Sequence, residues 1–268
     1  MIIKPKINDT NLTKKIFGYD ENLKKTLINV IEEKPLTLYL NDQEIVTMMT
    51  INDFPKFLSI GYLLNQHMIS SKTQIVAIDY DEDLMVVVIR TQKKTNFEVK
   101  LRKKTVTSGC AQGTLFGDVM ENFDKVKLNK RTFIKKDWIY DLSKKINNTP
   151  SLYLKAGAIH GCVLCHKNIP LLYMEDVGRH NAIDKIAGYM FLKKISAKDK
   201  IFYTTGRLTS EMVIKTVQMG IPILISRSGF TAWGVELAIE AGLTLIGRAK
   251  GRRFTALSGI ERIIYDAD

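Results

Sequence analysis

Three cysteines in 268 residues are too few, and odd in number, for a disulfide framework. They fit a reducing compartment, so a cytoplasmic protein is expected. Long apolar runs are missing too. No window holds eighteen uninterrupted hydrophobic residues, so neither a membrane-spanning helix nor a membrane partner is expected. The stretch from Met1 to Thr13 has early lysines but no apolar core and no small-residue cleavage site, so it does not read as a signal peptide. The chain has no Gly-x-x-x-x-Gly-Lys phosphate loop and no Gly-x-Ser-x-Gly elbow, which argues against a P-loop nucleotidase and against that type of hydrolase. No RNA-binding aromatic signature, zinc finger or helix-turn-helix pattern is present, so nucleic acid is not the expected partner.

What is there is a globular composition, with 45% hydrophobic and 25% charged residues. Lys and Arg number 40 against 28 Asp and Glu, a formal charge of +12. Much of the excess is scattered in pairs such as Lys24-Lys25, Lys103-Lys104 and Lys193-Lys194. One cluster differs: Arg248, Lys250, Arg252 and Arg253 surround Gly247 and Gly251. Arginine forks give directional bonds to phosphate, and glycine lets backbone amides approach. A compact phosphorylated ligand suits this cluster better than a long polymer.

The first third reads as α+β. Leu36–Leu40 and Glu44–Met49 flank a turn at Asn41-Asp42 and predict a hairpin. Asp53 is expected to cap a helix, with Pro55 in its first turn, running to about Gln66. Gln74–Asp79 and Leu84–Arg90 predict a second hairpin, and Phe97–Lys103 a further strand leading into Thr107-Ser-Gly-Cys-Ala-Gln-Gly-Thr114. Residues 121–149 read as charged and helical. Ala156–Leu172 predicts two strands around Lys167-Asn168. Beyond lie short apolar runs at 201–205, 221–225 and 243–246, separated by helical stretches at 209–219 and 231–241 that end in Gly220 and Gly242. That pattern predicts βαβ crossovers and a largely parallel, buried sheet. Ligands of such sheets gather at the carboxyl ends of strands, where this chain carries Gly206-Arg207, Ser226-Arg227-Ser228 and Gly247-Arg248.

Three segments bear candidate chemistry. Cys110 follows a basic strand (Lys100, Arg102, Lys103, Lys104) and sits among small polar residues, a setting that predicts exposure and a lowered thiol pKa. His160-Gly-Cys162-Val-Leu-Cys165-His166 invites a zinc reading. On a strand, however, Cys162 and Cys165 face opposite ways, and the His-x-Glu and Pro-Cys-x-x-Cys elements of a zinc deaminase are missing, so no metal is expected. The third is Glu175-Asp-Val-Gly-Arg-His-Asn-Ala-Ile-Asp-Lys-Ile186. Gly178 permits a turn, and a helix starting there projects Arg179 and His180 at its amino end, where anions are favoured. The competing view is a buried salt-bridge network of Asp176, Arg179 and Asp184.

The order of Glu-Lys-Pro-Leu (33–36), Ser-Gly-Cys (108–110), Gly-Ala-Ile-His (157–160), Glu-Asp-Val-Gly-Arg-His-Asn-Ala-Ile-Asp-Lys (175–185), Thr-Gly-Arg-x-x-x-Glu-Met (205–212), Ala-Gly-Leu-Thr-Leu-Ile-Gly (241–247) and Arg-Arg-Phe (252–254) resembles the FdhD family, the formate dehydrogenase accessory sulfurtransferases. The resemblance spans roughly residues 33–262. It implies a cytidine deaminase-like α/β/α layered domain without zinc (121–268) beside a smaller α+β region ending in the Cys110 loop (1–120), and a homodimer. It implies a sulfur carrier in which Cys110 takes persulfide sulfur from a cysteine desulfurase. That sulfur passes to the bis-molybdopterin guanine dinucleotide molybdenum cofactor, for formate dehydrogenase. The guanine dinucleotide site then corresponds to Arg248, Ala249, Lys250, Gly251, Arg252 and Arg253, with Arg179, His180 and Arg207 beside it; GDP or GTP would mimic the ligand. One departure stands out. Many members carry Cys-x-x-Cys in the loop, and this chain has Cys110-Ala-Gln-Gly113. Two other classes stay open: a non-catalytic chaperone for the guanylated cofactor with Cys110 dispensable, and a deaminase-type zinc hydrolase.

Overall fold

The computed structural model describes residues 1–93, 105–107, 110–114, 120 and 123–265, and side chains at all of these except 105–107 and 110–114. Two strands, β1 (Thr13–Tyr19) and β2 (Lys25–Ile31), form an antiparallel ribbon. The first expected hairpin follows as β3 (Lys34–Leu40) and β4 (Gln43–Thr50), and helix α1 (Pro55–Asn65) comes next. The second is β5 (Ile75–Asp81) with β6 (Val86–Thr91). These four strands make one sheet in the order β4-β3-β6-β5. Its core of Leu36, Leu38, Leu40, Val87 and Ile89 closes against Leu58, Tyr62 and Leu63 of α1. The expected strand at 97–103 lies outside the described residues.

A short pair, β7 (Thr105–Thr107) and β8 (Cys110–Thr114), leads to β9 (Ile134–Lys135) and α2 (Lys136–Asn147). Of the helix expected across 121–149, residue 123 and α2 (136–147) are helical, and 124–135 between them are not. Leu128 and Ile134 are both buried six residues apart, a spacing that no single helical face satisfies. Helix α3 (Leu152–Ala156) precedes the hairpin of β10 (His160–His166) and β11 (Ile169–Asp176). Then come α4 (Arg179–Leu192), β12 (Lys200–Thr204), α5 (Ser210–Gln218), β13 (Ile223–Ser226), α6 (Ala232–Glu240), β14 (Thr244–Lys250), β15 (Arg253–Ser258) and β16 (Ile263–Ile264).

The main sheet has six strands in the order β11-β10-β12-β13-β14-β15. Only β12, β13 and β14 run parallel; β10–β11 and β14–β15 are antiparallel hairpins flanking them. The largely parallel sheet is therefore corrected to a mixed one, because hairpins need no crossover helix. Both helices between the parallel strands are followed by a left-handed glycine, Gly220 at φ 77° and Gly242 at φ 64°. Side chains alternate across the buried strands. Phe202, Leu224 and Leu245 face α4, α5 and α6, while Ile201, Tyr203, Ile223, Ile225 and Ile246 face Ile139, Leu142 and Ile146 of α2. Helices thus cover both faces of the sheet.

The two sheets are joined through α1 and α4. A Cβ on Gly61 would fall 1.7 Å from the Asp184 carbonyl oxygen, and one on Gly188 2.0 Å from that of Phe57. Only glycine lets these backbones meet. The N-terminal residues reach the main sheet too: the amide of Ile2 donates to the Leu171 carbonyl and that of Tyr173 to Ile3.

Candidate functional site

The main sheet's carboxyl edge carries two basic regions. The first surrounds the turn between β14 and β15. Gly251 makes the turn at φ 60°, and a bulge in the pairing puts Arg248 at φ 54°. Gly247 lies under the Phe230 ring, where a Cβ would stand 2.7 Å from the ring edge. The Arg248 guanidinium covers that ring at 5.2 Å. Ala249 turns inward, 1% exposed, and its carbonyl accepts from Ser143. A cavity of about 790 Å³ opens here between Lys136, Tyr140, Arg248, Arg252, Arg253, Phe254 and Tyr265. Phe254 lies 6.0 Å from Tyr140 and stacks with Tyr265 at 6.3 Å, and the Arg252 guanidinium sits 5.5 Å from the Tyr140 ring. Flat aromatic surfaces beside arginine forks suit a nucleobase bearing phosphates. Lys250 and Gly251 complete the turn, both exposed.

The second region is built on the Glu175–Ile186 run. Glu175 and Asp176 end β11, and Gly178 caps α4. The Glu175 carboxylate is 1% exposed and accepts from the amides of Leu152 and Tyr153 at 2.8 and 3.1 Å. Burial outweighs those bonds and raises its pKa to about 7. One turn and a half into α4, the Lys185 ammonium lies 2.5 Å from both Asp53 and Asp176. It also donates to the Glu175 carbonyl, and Thr50 donates to Asp176. Burial alone would push Lys185 down, but Asp176 and Asp53 hold it above the ordinary lysine value. Burial, with Asp176 competing for the same cation, holds Asp53 above the usual carboxylate range. Asp184 in turn takes both oxygens to Lys215 at 2.8 Å and accepts from Asn65.

Two expectations change here. Asp53 does not cap α1: the cap position is Phe54, without a side-chain bond, because the buried ammonium of Lys185 claims the Asp53 carboxylate. The network of Asp176, Arg179 and Asp184 is not formed either. Both aspartates are satisfied by lysines, and the Nε and Nη2 of Arg179 are buried without a hydrogen-bond partner among the described residues. His180 Nε2 lies 3.0 Å from Glu211. Arg207 is exposed beside them, and Arg227 covers the Tyr153 ring at 4.5 Å.

Cys162 and Cys165 are fully buried on opposite faces of β10, as strand alternation requires. Burial pushes the Cys162 thiol up to about 12 and the Cys165 thiol further, so neither is a nucleophile at neutral pH. Among the described residues no group of three or more His, Cys, Asp or Glu could hold a metal ion. Cys110 was expected in a loop; its backbone opens β8, paired with Thr107, and its side chain lies outside the described residues. Ser108 and Gly109 lie outside them as well.

The model of the FdhD/NarQ family matches residues 31–264. The chain belongs to this family. Among relatives of the FdhD/NarQ type, the sulfur carrier protein FdhD of Listeria monocytogenes is 30% identical over 243 residues, covering 88% of this chain and 91% of its own. That of Sulfurisphaera tokodaii is 33% identical over 240 residues, with the same shares. The crystal structure of a formate dehydrogenase accessory protein from Desulfotalea psychrophila matches with a TM-score of 0.75 at 25% identity, over 94% of this chain and 98% of that one.

Sequence reasoning missed the aromatic partners Tyr140 and Tyr265, which are distant in sequence from Arg252 and carry no local signal. It also missed the role of Lys185. A lysine between Ile183 and Ile186 on an apolar helix is itself a sign of a buried cation.

Proposed function

We propose that this chain is a sulfur carrier for the maturation of formate dehydrogenase, working through Cys110. The observation that carries this is the family match across 31–264, in a chain whose only other thiols, Cys162 and Cys165, are buried and held protonated. The Cys110 thiolate attacks the terminal sulfur of a persulfide on a cysteine desulfurase. An S–S bond forms on Cys110, the desulfurase thiolate leaves, and no net oxidant is used. The acceptor is the molybdenum cofactor as bis-molybdopterin guanine dinucleotide. It supplies the electron pair for the new metal–sulfur bond, and Cys110 returns to a thiolate. Gly113 in place of a second thiol makes this a one-cysteine relay.

The pocket of Tyr140, Arg252, Phe254 and Tyr265 supports a guanine nucleotide site, with Arg248 and Arg253 toward its phosphates and Arg179, His180 and Arg207 further along the edge. GDP and GTP serve as fragments of that ligand. Helices on both faces of a mixed sheet support a cytidine deaminase-like layering of 121–268, beside a smaller α+β domain within 1–120. We further propose a cytoplasmic homodimer; no helix among the described residues is long and apolar enough to cross a membrane.

Incubation with a cysteine desulfurase and cysteine, followed by intact-mass measurement, tests the chemistry: one sulfur atom is gained on wild type and none on Cys110→Ala. The single loop thiol favours one rival, a chaperone that delivers the cofactor without carrying sulfur. Full formate dehydrogenase activity in cells bearing only Cys110→Ala would select that rival.

A further inference from the structure

Arg179 is 8% exposed, and two of its guanidinium nitrogens are buried with no acceptor among the described residues. A buried, unpaired cation is among the costliest features a fold can keep, and an apolar side chain of similar length would fill the same space. The surroundings do not relieve it. Arg207 and Arg227 add two more guanidiniums close enough for Arg179, Arg207 and Arg227 all to depress His160, and Glu211 is the nearby carboxylate. Burial and this positive field hold His160 and His180 below the ordinary histidine value, so both are neutral at pH 7. Arg179 itself faces one guanidinium, Arg207, and one carboxylate, Glu211, while Arg227 acts on His160 and Lys215 on His180.

Two further features aim this charge at one place. Helix α4 has fourteen residues, and its first internal bond runs from Ala182 to the Gly178 carbonyl. The amides of Arg179, His180 and Asn181 thus precede the helical ladder, and Gly178 has no side chain to receive them. Gly206 makes room for the arginine stem: a Cβ there would stand 2.9 Å from Arg179 Cδ and 3.1 Å from its Cβ.

We propose that the edge between Gly206 and the first turn of α4 is a phosphate-dianion site, in which Arg179, Arg207 and the leading amides of α4 receive the phosphate oxygens. It deepens the cofactor reading by giving the edge a phosphate subsite separate from the guanine pocket, but it rests on Arg179 and not on that pocket. The phosphate comes either from free inorganic phosphate or from the phosphate end of a larger ligand.

Titration calorimetry on the full chain separates these sources, with inorganic phosphate, pyrophosphate, guanosine and GDP as probes. Arg179→Met is expected to weaken phosphate or pyrophosphate binding about tenfold or more, and Arg207→Ala, at an exposed position, to weaken it less. Guanosine binding should survive Arg179→Met and fall with Tyr140→Ala. Inorganic phosphate binding alone at millimolar concentration marks the free anion as a ligand. Binding of pyrophosphate and GDP but not phosphate, with GDP weakened by Arg179→Met, marks the larger one. The proposal is overturned if none of the phosphate-bearing probes senses Arg179→Met. It is also overturned if Arg179→Met melts well below wild type in phosphate-free buffer, which would make Arg179 a structural residue. Loss of the guanosine signal alone would sink the guanine pocket and leave the phosphate site standing.

Discussion

Arg179 and Lys185 lie six residues apart on α4, both buried, both cationic, and treated in opposite ways. Lys185 holds two carboxylates and a carbonyl, all from segments that join the small sheet and α1 to the main sheet. Arg179 faces Arg207, with Glu211 the nearby carboxylate, and keeps two nitrogens without a hydrogen-bond partner among the described residues. A cation fully consumed by its own fold contributes architecture. A cation left unpaired at the edge of a sheet, against the energetic preference of the fold, marks where a ligand completes the charge balance.

That contrast breaks first at Lys185. Lys185→Met leaves Asp53 and Asp176 facing each other in a dry interior and is expected to cost about 3–5 kcal/mol, read by urea denaturation. A loss below about 1 kcal/mol would mean that the triad does not join the sheets. Gly188→Ala comes next. Its methyl group meets the Phe57 carbonyl, so α1 and α4 must separate, at a cost of about 2–3 kcal/mol in the same assay.

Glu175 supplies a pH test. Its folded pKa, about 7, is above the unfolded carboxylate value. The folded state therefore binds the extra proton, and the stabilisation is complete below the unfolded value and lost as pH rises through about 7. Relative to Glu175→Gln, wild type should lose on the order of 2 kcal/mol between about pH 4.5 and about pH 8. A parallel pair of pH–stability curves would remove Glu175 from the account. The smallest expected change is at Arg179. Arg179→Met should leave stability unchanged or raise it by about 1 kcal/mol in phosphate-free buffer, the reverse in sign of Lys185→Met.

Most of the architecture was legible in the chain. Alternation located β3 to β6 and the β10–β11 hairpin, and glycine after each crossover helix located α5 and α6. The irregular stretch 124–133 before α2 was not, because charge and propensity favour a helix there while burial of Leu128 and Ile134, six residues apart, decides otherwise. At the site, the Glu175–Ile186 run announced a polar wall. Which charges pair could not be read from it: Asp53 and Lys215 arrive from other elements, 132 and 31 residues from their partners Lys185 and Asp184. The same holds for the stacking of Tyr140, Phe254 and Tyr265 around Arg252, which only the fold assembles.

Sulfur carriage is the central claim, and mass measurement of the intact chain after exposure to a cysteine desulfurase and cysteine tests it most directly. The expected result is one added sulfur atom, removed by a thiol reductant, mapped to Cys110 and lost in Cys110→Ala, with Cys162 and Cys165 unmodified. An unchanged wild-type mass, or a sulfur that persists in Cys110→Ala, would contradict it.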